Sequence, residues 1–128
     1  MAHASATIGT TDYAVAINAG HHQLCADEAP ALGGKDTAPG PFELLCSALG
    51  ACTAITLRMY AERKAWPLRG VQVDVRFSGT GRDGAIARVL KFDGDLREEQ
   101  RARLADIAER TPVTLTLKNG VAITTTLA

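Results

Sequence analysis

The stretch PFELLCSALGACTAITLRMYAERKAW, Pro41 to Trp66, decides how this chain has to fold. Phe42, Leu44, Leu45, Leu49, Ala51, Ile55, Leu57, Met59 and Tyr60 cover nearly every direction around a helical axis, whereas an ordinary surface helix carries one apolar stripe. The spacing predicts a helix buried on most sides, with the thiol of Cys52 near its middle. Pro41 suits the first helical turn, and Pro67 cannot continue the helix. Ser47, Ala48, Gly50, Ala51 and Ala54 are small, so another helix or a second subunit can approach closely there.

Upstream of this helix, DEAPALGGKDTAPGP from Asp27 to Pro41 is too rich in Pro and Gly for regular structure and reads as a loop. Before it, Tyr13, Val15 and Ile17 alternate, Asn18-Ala19-Gly20 marks a turn, and a second run ends at Leu24 and Cys25. The pattern predicts a small antiparallel meander. Downstream, Val71, Val73, Val75 and Phe77 alternate with polar residues, and Arg82-Asp83-Gly84 turns the chain into a returning strand from Ile86. Leu104, Ile107 and Ala108 then lie at helical spacing between Arg97 and Glu109, with Asp95 and Glu98 fitting a capping box. The run VAITTTL from Val121 reads as a last strand that closes the sheet.

The segment TPVTLTLKNG, Thr111 to Gly120, supports two readings. Val113, Leu115 and Leu117 alternate with threonines ahead of Asn119-Gly120, so propensity favours strand and turn. Against that, Thr111-Pro112 would suit a helix N-cap followed by a first-turn proline, with Gly120 as the stop; the residues alone leave both open and lean to the strand.

The 128 residues make one ordinary domain, and 14 acidic against 14 basic side chains leave no charge footprint for nucleic acid or an anionic membrane. The N-terminus shows no secretory signal. The uninterrupted apolar part of the long helix, Leu44 to Leu57, falls short of the roughly 20 residues a bilayer crossing needs. A cytoplasmic protein with no membrane partner is expected. In that compartment Cys25, Cys46 and Cys52 form neither a disulfide framework nor a zinc pattern.

Several motifs carry little chemistry. GTGRDG, Gly79 to Gly84, spells a dinucleotide fingerprint, but a strand rather than a helix follows it. His21 and His22 are adjacent; on a strand they would point to opposite faces and chelate an ion poorly, so they read as turn histidines. Asp27 and Glu28 read as solvated loop charges. Neither a metal nor a cofactor is expected. Cys52 is either a small hydrophobe in a core helix or a nucleophile activated by a cation brought near in the fold.

The order GG, then GPFELLCSALGACTAITLRMYAERK, then VQVDVRF, then ERTPVTLTL resembles the OsmC/Ohr family of osmotically induced and organic hydroperoxide resistance proteins, from about Ala29 to the C-terminus. The resemblance implies an α+β fold with an antiparallel sheet, a long buried central helix and an intertwined homodimer with sites at the interface. It also implies a helix after Pro112. In such peroxidases a helical cysteine attacks an organic hydroperoxide, and a second cysteine captures the resulting sulfenic acid. Cys52 matches the attacking position, and Thr111 stands where the second cysteine would be.

Two more family positions differ. Phe42 stands ten residues before Cys52 in place of a glutamate, with Glu43 one position later, and no arginine precedes Arg58; Lys35 is the one lysine before it. Cys46 lies six residues from Cys52, about 9 Å along a helix, too far for a disulfide. The expectation is therefore a homodimer with one-cysteine reactivity at Cys52 toward an apolar or peroxide substrate, in a pocket lined by Phe42, Glu43, Leu49, Ile55 and Thr111. The alternative is a non-enzymatic dimer that binds a small apolar ligand, with Cys52 as lining.

Overall fold

A computed structural model describes all residues, 1–128, and divides into two compact units, Met1–Leu45 and Cys46–Ala128. The fold is α+β.

The first unit is the predicted meander, built from β1 (Ala4–Ile8), β2 (Val15–Ala19) and β3 (His22–Ala26) in that spatial order, antiparallel throughout. Gly20 turns β2 into β3 with a positive φ of 60°. Its amide donates to the His3 carbonyl at 2.9 Å, which ties the start of the chain to the sheet. His21 sits in the turn, as expected, and His22 opens the strand, with their rings 4.2 Å apart.

The loop after β3 is organised around Asp27, one of two buried residues in this unit. Its carboxylate accepts from the Glu28 amide at 2.7 Å, the Thr37 amide at 3.1 Å, the Thr37 hydroxyl at 2.6 Å and the Tyr13 amide at 3.3 Å. The reading of Asp27 as a solvated charge is thus corrected. Four donors supply what water would have supplied, which is what permits burial of a carboxylate. Gly34 permits the tight return of this loop, since a Cβ there would meet the Glu28 carbonyl oxygen at 2.0 Å.

Helix α1 (Pro41–Arg63) starts with Glu43 accepting from the Gly40 amide at 2.9 Å, the reach-back half of a capping box. By length and mean hydropathy α1 would suffice for a bilayer crossing, because Ser47, Thr53 and Thr56 interrupt the apolar run without ending the helix. Leu49, Thr53, Leu57 and Ala61, four residues apart, form its buried stripe. The expectation of burial on most sides is not met within this chain. Ile55 and Met59 are more than half exposed, since one chain supplies cover along a single face.

In the second unit, β4 (Leu68–Ser78) and β5 (Ala85–Gly94) pair antiparallel, with Val71 opposite Phe92, Val73 opposite Leu90 and Val75 opposite Arg88. The GTGRDG segment is their connection, a 3-10 turn over Gly81–Asp83, and not a nucleotide-binding loop. Helix α2 (Glu98–Ala108) presents Leu104 and Ala108 to a core completed by Leu57, Ala61, Leu68 and Leu96. Its cap lies two residues later than expected, with Gln100 Oε1 accepting from the Arg97 amide at 2.8 Å. Helix α3 (Pro112–Asn119) is the form that the resemblance implied. The expected last strand is absent. Val121–Ala128 has no strand partner, and Val121, Ile123 and Leu127 are exposed.

Candidate functional site

Cys52 is a free, half-buried thiol on α1, one residue before the fully buried Thr53. Cys25 and Cys46 are free as well. Of the other residues expected around Cys52, Leu49 is buried on the α1 stripe and Ile55 faces outward. Ile55 borders an open groove of about 460 Å³ with Ala54, Arg58, Met59, Glu62 and Val71. Phe42 and Glu43 occupy the first turn of α1, in the other unit. Phe42 is exposed, and Glu43 serves the start of its helix. Lys35 is exposed on the loop. Nowhere do three His, Cys, Asp or Glu side chains converge as metal ligands.

Thr111 is fully buried and caps α3. Its hydroxyl accepts from the Thr114 amide at 3.4 Å and lies 2.6 Å from the Thr114 hydroxyl. Two buried hydroxyls satisfy one another there, and neither carries redox chemistry.

The residue that sequence reasoning missed is Arg88. Its side chain is 11% exposed, and its guanidinium reaches three helices. Nη1 donates to the hydroxyls of Thr53 on α1 and Thr114 on α3, both at 3.0 Å. Nη2 donates to the Ala108 carbonyl at 2.8 Å and to Glu109 Oε2 at 3.1 Å, both at the end of α2. Glu109 also meets Lys118 Nζ at 3.0 Å, and this bond above all, with Arg88 behind it, holds its carboxyl below the usual carboxylate range. The signal was in the alternation of β5. Ile86, Arg88, Leu90 and Phe92 share one phase, so an arginine stands where the strand turns apolar residues inward.

A family model for OsmC-like protein matches residues 34–126. The chain belongs to the OsmC-like family. No curated protein matches it. Among solved structures it is similar to an OsmC-like protein from Mycoplasma pneumoniae, with a TM-score of 0.77 and 21% identity over 92% of this chain and 87% of that one. It is also similar to an organic hydroperoxide resistance protein OsmC from Legionella pneumophila, at 0.70 and 20% over 92% and 89%. A third is an organic hydroperoxide resistance protein from Elizabethkingia anophelis with thiocyanate bound, at 0.67 and 17% over 93% and 89%. At these identities the likeness establishes the OsmC-like fold.

Proposed function

We propose that this OsmC-like protein is a one-cysteine thiol protein that reduces organic hydroperoxides through Cys52, acting as a homodimer in a thiol-rich cytoplasm. The observation that carries the reading is a half-buried free thiol on the long helix; the sequence resemblance matches it to the family's attacking cysteine and puts the buried Thr111 in place of the second one. In the reaction the Cys52 thiolate attacks a peroxide oxygen, so that an S–O bond forms as the O–O bond breaks. The alcohol leaves after taking a proton, and the sulfur is oxidised by two electrons to sulfenic acid. A small external thiol condenses with the sulfenic acid, releasing water and leaving a mixed disulfide. A second thiol then displaces Cys52 and restores it.

A second reading has its own support. The groove beside Ile55 and Met59 is mostly apolar and suits a small apolar ligand, and Cys52, three residues before Ile55 on the helix, would then border the ligand rather than react. One experiment separates the two. Organic hydroperoxide consumption with dithiothreitol is measured for wild type, Cys52→Ser and Cys25→Ser, with intact mass recorded after exposure. Turnover lost only in Cys52→Ser is the expected result. Loss in both variants would make Cys25 the resolving thiol, and a wild type no faster than Cys52→Ser with unchanged mass would leave the ligand-binding reading.

A further inference from the structure

We propose that Arg88 is a positioning residue for Cys52, fixing the segment of α1 that carries the thiol against the first turn of α3. The inference rests on the reading of Cys52 as the reactive group. Arg88 donates to the residue next to Cys52 in sequence, Thr53, and through the same nitrogen to Thr114, whose hydroxyl bonds to that of Thr111. Through its other nitrogen it holds the end of α2 at Ala108 and Glu109. One planar fork thus sets the spacing of three helices, which a flexible ammonium with a single charged nitrogen cannot do.

Stability alone does not account for this arginine. On the inward phase of β5, among Ile86, Leu90 and Phe92, an apolar side chain would fill the space without desolvating a cation. Nor does the network need the guanidinium to satisfy its own members. Thr53 still donates to the Leu49 carbonyl at 2.7 Å, Thr114 to the Ala108 carbonyl at 3.3 Å, and Glu109 still meets Lys118. Removing the fork therefore leaves no partner stranded, but it frees the relative placement of the helices. A reaction whose rate depends on holding a peroxide oxygen in line with sulfur is sensitive to such looseness.

The test uses the full chain with Cys25→Ser and Cys46→Ser, so that Cys52 is the one thiol. Rates with cumene hydroperoxide and with iodoacetamide are measured across pH for this background and for added Arg88→Met, Arg88→Lys or Leu104→Ala. Iodoacetamide needs an accessible thiolate but no shaped site. We expect Arg88→Met to keep its thermal midpoint within a few degrees and its alkylation rate within twofold, while the hydroperoxide rate falls about tenfold. Leu104→Ala, a core truncation outside the network, should lower the midpoint and leave the ratio of the two rates unchanged. If Arg88→Met fails to fold, Arg88→Lys carries the same comparison and should show the ratio falling as well, since one ammonium cannot bridge three helices. A hydroperoxide rate within twofold of the background, or both rates falling together with the midpoint, overturns the assignment. If the background itself reacts no faster than free cysteine, the peroxidase reading fails and the inference falls with it, an outcome plainly different from a fast background matched by a fast variant.

Discussion

At the scale of single residues, the two most consequential side chains are charged groups that the fold takes out of water, Asp27 and Arg88. The carboxyl of Asp27 is held far below the usual carboxylate range, first by the Thr37 hydroxyl, then by the Thr37 and Glu28 amides, against an opposing effect of burial. A folded-state pKa below the unfolded one contributes stability that is complete above the unfolded value and is lost as pH falls toward the folded one. Asp27→Asn should therefore lower the urea midpoint at pH 7, and the gap to wild type should narrow as pH drops below about 4. Equal midpoints at pH 7, or a gap that widens on acidification, would show that the Asp27 bonds contribute nothing net. Neither residue was read correctly from the sequence, for different reasons. The four donors to Asp27 come from Tyr13, Glu28 and Thr37, and no local pattern announces that a loop will close on itself. Arg88 was legible in principle, as the wrong residue type on the apolar phase of an alternating strand.

At the scale of elements, α3 shows why hydrophobic periodicity misleads in a short segment. Val113, Leu115 and Leu117 alternate as a strand would, yet the residues buried are Thr111 and Thr114, three apart on a helix, while Leu115 and Leu117 remain exposed. The Thr-Pro start outweighs β propensity because the cap and the proline act on the backbone directly. Thr111→Cys tests both the cap and the family position. Removing the capping hydroxyl should cost about 1 kcal/mol in chemical denaturation. After hydroperoxide exposure the introduced thiol should capture the Cys52 sulfenic acid, leaving an intact mass two hydrogens below the reduced protein. Accumulation of oxygen on Cys52, as when no resolving thiol is present, would mean that α3 does not bring position 111 within reach. The long helices and the β2–β3 and β4–β5 hairpins were legible because their alternation or helical spacing is unambiguous, whereas in the eight residues of α3 period and propensity disagree with the cap.

At the scale of the whole molecule, α1 and the C-terminal segment both carry apolar patterns that their own chain leaves uncovered. The sequence of α1 is apolar all round, but a single chain covers only the Leu49, Thr53, Leu57 and Ala61 stripe. VAITTTL has the composition of a strand and no strand beside it. Both patterns make sense if a second copy supplies the missing cover, which is the homodimer proposed above. The balanced charge of the chain raises no general barrier to self-association. Ile55 and Met59 lie four residues apart on the exposed side of α1, so they share one face and should be covered together. Ile55→Asp would place an unpaired carboxylate in that cover, at about 2 kcal/mol or more, which is over tenfold in the dissociation constant. Sedimentation velocity across a concentration series should show wild type as a dimer and Ile55→Asp shifted toward monomer. The variant should also keep its far-UV circular dichroism, because Ile55 is not part of the core of its own chain. A wild type that stays monomeric at every concentration, or a variant that dimerises as tightly as wild type, would assign the exposed face of α1 to a different occupant, and the apolar-ligand reading of its groove would then gain weight over the interface.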